Sequence, residues 1–171
     1  FRRAVALMVM TLVVPGSAQL AAGNRDVGRI AVRIWLALLI TGLCTIATVL
    51  AHYEALIALI KRGRSFSAYG RRHILILVFG LLASHLIGIA IFGIGVFSLL
   101  QLPDAGRLIG AQSESLMECI YFAATSYSTL GYGDVTPQGP VRLIASITSL
   151  TGFMMITWSA SATFLEMQRR W

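Results

Sequence analysis

Charge is what this chain has least of. Only 12% of its 171 residues are Asp, Glu, Lys or Arg, while 57% are hydrophobic. An average soluble domain carries about 25% charged residues, so this balance excludes a soluble globular protein and indicates an integral membrane protein. Cysteine is nearly as scarce. Cys44 and Cys119 lie in apolar surroundings, with no C-x-x-C pair and no histidine partner close by, and both read as packing residues rather than as ligands or a disulfide. Histidine forms no catalytic or metal constellation. His85 falls inside a long apolar run, where an ionisable group is expensive and marks a functional-site candidate; a neutral imidazole bonded to a neighbouring helix is the expected account. His52 and Glu54 sit near the end of another run, where Glu54 can snorkel or pair. Acidic residues are few as well, and the formal net charge is +7. Nucleic-acid binding does not follow, because the basic residues cluster at the ends of apolar runs, as positive-inside bias requires. The chain opens at Phe1 rather than methionine, which reads as a fragment, a processed product or an edited sequence.

What the chain has instead is apolar length. Of four apolar runs, Ile34 to Ile60, Ile74 to Leu100 and Val141 to Leu165 exceed the roughly 20 residues that cross a bilayer. Between the last two lies a polar stretch, Gln101 to Ser113, and then a segment from Leu116 to about Ser128 that is too short to span. Ser115 followed by Glu118 is a capping-box pattern at the start of that short helix. Thr129 to Asp134 then read T-L-G-Y-G-D. Its two glycines open backbone conformations closed to most residues. Non-helical backbone at membrane depth is tolerated only where protein buries it or where it lines a water-filled path. A ring of its carbonyls would suit a dehydrated cation.

The stretch S-T-L-G-Y-G-D resembles the selectivity-filter signature of potassium channels, T-V-G-Y-G-D, with Leu130 where valine is commonest. The resemblance implies an all-α membrane protein. Its module is a helix, a re-entrant pore helix, the filter and a second helix, covering about residues 73 to 168 and assembled as a homotetramer around the conduction path. Thr129 would contribute its hydroxyl and carbonyl, Leu130, Gly131 and Tyr132 their carbonyls, and Gly133 the outer turn, with K+ held at Thr129, Leu130, Gly131 and Tyr132. Asp134 would close the outer mouth, where a ring of carboxylates concentrates cations; Glu114 and Glu118 could add to that field. The Tyr132 ring is expected against the pore helix, with Tyr121, Phe122 and Tyr127 as candidate partners. Gly152 has the family's spacing for a hinge, and close helix packing by a small residue is the alternative. Phe153, Ile156 and Ala160 either line a cavity below the filter or form an ordinary packing stripe. The implied function is passive potassium conduction by a channel subunit whose partners are its own copies and the lipid bilayer. Neither enzymatic activity nor an organic cofactor is expected.

Charge tests the orientation. With the filter outward, Lys61, Arg62, Arg64, Arg71, Arg72, Arg169 and Arg170 fall in the cytoplasm, while residues 101 to 140 carry Asp104, Glu114, Glu118 and Asp134 against Arg107 alone. Together with the resemblance, this implies a multi-pass protein of a bacterial inner (plasma) membrane with its C-terminus cytoplasmic.

Residues 1 to 72 form an N-terminal membrane region ahead of the pore domain, 73 to 171. It divides into a signal-like segment, 1 to 22, a span at about 34 to 60, and a basic cytoplasmic loop, 61 to 72. Arg2 and Arg3, the run Ala4 to Val14 and the small residues Ser17 and Ala18 are the signal-like features; a spanning first helix is the other reading. Arg25, Arg29 and Arg33 then fall outside, against the usual bias, and their spacing suits a short interfacial helix. Residues 10 to 38 also resemble the N-terminal membrane segment of actinobacterial cell-wall ligases of the LytR-CpsA-Psr class. The alternatives to a conducting channel are therefore a non-conducting anchor or regulatory subunit, and a membrane fragment of a cell-wall enzyme.

Overall fold

The computed structural model describes residues 2–17, 25–65 and 70–169. The elements run in the order α1 (Arg2–Val13), α2 (Arg25–Ser65), α3 (Gly70–Leu100), β1 (Arg107–Ile109), α4 (Leu116–Tyr127), β2 (Thr136–Gln138) and α5 (Val141–Gln168). Among the described residues three helices, α2, α3 and α5, are long and apolar enough to cross a membrane. The chain is an all-α, multi-pass membrane protein. The end of the signal-like segment, residues 18 to 22, lies outside the described residues.

The run Ile34 to Ile60 is the interior of a longer helix. No proline interrupts residues 25 to 65, and the resulting 41-residue helix is roughly 60 Å long at ~1.5 Å per residue, about twice a hydrocarbon core. Arg25, Arg29 and Arg33 are thus the first turns of this helix and do not form a separate interfacial one. The expected basic loop shrinks for the same reason. Residues 61–65 still belong to α2 and 70–72 already belong to α3; residues 66–69 lie outside the described residues.

A ladder of contacts fixes the packing. Arg33 pairs with Asp104 at one end, the Cys44 thiol faces the Ile91 carbonyl, His52 meets Ser84, and Gly80 lies against Leu59. Numbers rise along α2 as they fall along α3, so the two are antiparallel. The contacts Ile144 with Gly95, Ser159 with His85 and Glu166 with His73 make α5 antiparallel to α3 and parallel to α2. The Arg33–Asp104 pair gives one of the three N-terminal arginines an acidic partner on the loop after α3.

Lipid offers apolar side chains as good a home as protein does, so close packing and polar contacts carry the association of helices. The buried core lies where α4 wedges between α3 and α5, with Phe92, Val96, Leu99, Cys119, Phe122 and Ile144 in one cluster. Small residues let backbones approach: a methyl group at Gly93 would sit 2.9 Å from the Ile120 Cα. Several hydroxyls within the helices are satisfied locally. Thr41, Thr148, Thr157 and Ser161 each donate to the carbonyl four residues back, at 2.6, 2.6, 2.7 and 3.0 Å.

The polar stretch after α3 holds structure that its composition did not announce. β1 and β2 pair antiparallel, Leu108 opposite Pro137, and Arg107 Nε donates to Gln138 Oε1 at 2.8 Å. The Val141 amide donates to the Ala105 carbonyl at 3.0 Å, which ties the loop to the start of α5.

Candidate functional site

The short helix α4 begins as its sequence directs. Ser115 is extended at φ −82°, ψ 156°, and its Oγ accepts the Glu118 amide at 3.3 Å, satisfying one of the free donors of the first turn. Glu118 serves that cap through its backbone. Ser115→Ala is expected to lower stability by roughly 0.5–1 kcal/mol, the lower part of the capping range because the bond is long; thermal unfolding in detergent, monitored by circular dichroism, checks it.

At the other end Ser128 caps the helix, its amide bonded to Ala124 O at 3.0 Å and its hydroxyl to the same carbonyl at 2.8 Å. The chain then leaves the helix abruptly. Thr129 has φ +58°, Gly131 +54° and Gly133 +82°, whereas Leu130 and Tyr132 between them stay at negative φ. A threonine in the left-handed region is uncommon and costs about 1–2 kcal/mol. Two amides hold it there: Thr129 N–H donates to Ser126 O at 2.9 Å, and Gly131 N–H donates to Thr125 O at 3.1 Å. Residues 128 to 134 are all exposed, and no atom comes within 4 Å of a methyl group placed at Gly131 or Gly133. The segment is clamped to α4 at its base and open along its length.

The far end is clamped too. Tyr121 donates its hydroxyl to Asp134 Oδ2 at 2.6 Å, and Val135 N–H donates to Asp134 Oδ1 at 3.0 Å. That bond pushes the Tyr121 hydroxyl up to about 12 and holds the Asp134 carboxyl below its ordinary value. Asp134 is therefore a fixed carboxylate. Behind it, Gly110 approaches so closely that a methyl group there would sit 1.9 Å from the Asp134 carbonyl oxygen, so the loop carrying β1 backs the exit of the segment.

Other expected residues fall as follows. Tyr132 is 69% exposed, while the Tyr121 hydroxyl bonds Asp134 and that of Tyr127 meets His85. Gly152 is buried, α5 runs unbroken through it, and a methyl group on it would lie 1.9 Å from the Tyr127 carbonyl oxygen. Close packing is thus what Gly152 visibly does. Ile156 and Ala160 line a cavity of about 420 Å3 between α3 and α5, which His85 and Ser159 also face, while Phe153 is exposed. Glu114 is exposed. Cys119 is buried, and desolvation, with Glu114 and Glu118 nearby, pushes its thiol up to about 11, the behaviour of a packing residue.

No cluster of three or more His, Cys, Asp or Glu suited to a metal ion occurs among the described residues. The oxygens available at residues 129 to 133 are neutral carbonyls and the hydroxyls of Thr129 and Tyr132, a hard donor set suited to a weakly held alkali cation.

A short helix that enters and does not cross, a clamped glycine-bearing segment after it and spanning helices on either side define a pore-loop membrane protein. A family model described as ion channel matches residues 84–169, half of the chain, and the protein belongs to that ion-channel family. It is an ion-channel subunit, in a family of channels rather than of enzymes. No curated protein and no solved structure gives a significant match. Residues 10 to 38, with their likeness to cell-wall ligases, lie outside the matched region.

Three features were beyond the sequence reading. The Tyr121–Asp134 bond joins residues thirteen apart across the turn, and a tyrosine one helical face away from an acidic turn was its one signal. The β1–β2 ribbon left none. The third is a polar chain through buried His52 and Ser159 to half-buried His85, signalled only by two histidines in a chain otherwise poor in polar groups.

Proposed function

We propose that four copies of this subunit surround a central path and that potassium moves through it passively, held in turn by oxygens of Thr129, Leu130, Gly131 and Tyr132, with Gly133 shaping the outer turn. The observation that carries this is the alternation of backbone handedness at Thr129, Gly131 and Gly133. In an ordinary strand successive carbonyls point to opposite sides. Alternating handedness brings them to one side, the arrangement that replaces a cation's water shell. One chain supplies only one such wall, and its openness in the single subunit fits a position on a symmetry axis.

Asp134 acts at the outer mouth as one of four carboxylates that raise the local cation concentration. The pore domain spans residues 73 to 171, with 1 to 72 as an accessory membrane region. Residues 61 to 65 and Arg169 face the cytoplasm of a bacterial plasma membrane, following the positive-inside rule. Gly152 serves this pore by seating α5 against the end of α4; the hinge role and the cavity-lining roles of Phe153, Ile156 and Ala160 belong to the same proposal.

Purified protein in potassium-loaded liposomes tests it. Rubidium uptake is expected to exceed that of empty liposomes by more than about tenfold, with sodium uptake near background. Absence of cation flux, or equal rubidium and sodium flux, overturns it.

A further inference from the structure

His52 on α2 is buried at 1% exposure. Its Nδ1 lies 3.0 Å from Ser84 Oγ on α3, and its Nε2 lies 3.1 Å from Ser159 Oγ on α5. The same Ser159 oxygen lies 3.0 Å from His85 Nε2, and His85 Nδ1 lies 3.2 Å from the Tyr127 hydroxyl at the end of α4. The two imidazoles stand 5.0 Å apart, and the His85 ring meets Tyr127 edge-on at 5.9 Å. One continuous chain of hydrogen bonds therefore joins the three helices of the matched region, α3, α4 and α5, to their N-terminal neighbour α2.

The inventory of donors closes. A neutral imidazole has one donor and one acceptor nitrogen, and a hydroxyl both donates and accepts. Tyr127 can donate to His85, His85 to Ser159, Ser159 to His52, and His52 to Ser84. That direction leaves the last free proton on Ser84, a helix serine able to turn to its own backbone. A fully satisfied polar network in an apolar interior rigidifies the elements it joins. What it grips here is Tyr127, two residues before Thr129. That residue is 1% exposed, with Gly88 beside its ring and Gly152 against its carbonyl. Thr125 and Ser126, which anchor the amides of Gly131 and Thr129, belong to the same last turn of α4.

We infer that His52, Ser159 and His85 are positioning residues that act through Tyr127 to fix the last turn of α4, and with it the ion-selecting segment. On this view α2 is a working part of the pore. The inference rests on the reading of residues 129 to 133 as the filter.

The test compares Tyr127→Phe, Ser159→Ala, their double variant and Ser159→Thr as folded assemblies in bilayers. Tyr127→Phe and Ser159→Ala are each expected to lower the potassium-to-sodium permeability ratio by about threefold or more, and the double variant to go no lower than the worse single one, as members of one network do. Ser159→Thr, which keeps the hydroxyl, is expected to keep the wild-type ratio. A selective wild type whose two single variants keep its ratio, or whose double variant multiplies their effects, overturns the inference alone. A wild type without potassium selectivity overturns the filter reading and this inference with it. Should Ser159→Ala fail to assemble, imidazole nitrogen resonances decide: Tyr127→Phe is expected to shift those of His52, which it does not touch, and unchanged His52 resonances overturn the inference.

Discussion

Gly131→Ala is expected to leave the protein folded and assembled while lowering rubidium uptake by more than about tenfold. The separation of the two effects follows from the surroundings of Gly131. A methyl group there meets nothing within 4 Å in the subunit, so packing is not disturbed. The backbone is another matter. At φ +54° alanine is penalised by about 1–2 kcal/mol per residue, and relief comes by rotating the neighbouring peptide, which turns its carbonyl away from the side shared with the others. In the proposed fourfold assembly the penalty would apply at every strand. A bias of about 1–2 kcal/mol shifts each strand by a factor of roughly 5–30, so a pore needing all four carbonyls aligned loses far more than one strand does. Size-exclusion profiles should match the wild type and thermal midpoints should fall by about a few degrees at most, while rubidium uptake drops more than about tenfold. Undiminished flux in Gly131→Ala contradicts the role given to this backbone.

Gly152→Ala should do the opposite, damaging the fold first. Its methyl group would lie 1.9 Å from the Tyr127 carbonyl oxygen, 2.7 Å from the carbonyl carbon and 2.8 Å from the Cα. Those atoms are backbone and cannot swing aside, so α5 must retreat from α4. Overpacking of this kind costs about 1–3 kcal/mol. Lower yield, a depressed thermal midpoint in detergent and reduced flux should appear together. A variant with wild-type stability would show that α5 can shift freely at this point. That outcome would favour the hinge over the packing role.

The sequence made three spans and the short helix legible because each rests on local information. Apolar length marks α2, α3 and α5, Ser115 and Glu118 mark the start of α4, and two glycines mark the segment after it. Contacts between distant residues were not legible. Arg25, Arg29 and Arg33 looked like an interfacial helix because nothing local continues them into the span, and the acidic partner of Arg33, Asp104, comes more than seventy residues later. The ribbon escaped notice because strands of three residues are too short to show an alternating pattern. His85 was expected to bond a neighbouring helix, and it does; its link through Ser159 to His52 depends on a register between helices that no single helix encodes. Tyr132 shows the limit from the other side. Its ring was assigned partners within its own chain, and in the subunit it stands exposed.

The central claim is that the Thr129 to Gly133 backbone admits potassium and refuses sodium. The most direct measurement is the reversal potential of single-channel current in a planar bilayer with potassium alone on one side and sodium alone on the other. The account predicts a reversal potential far from zero, displaced in the direction of potassium selectivity, and its collapse with loss of current in Gly131→Ala. A wild-type current that reverses near zero would contradict it.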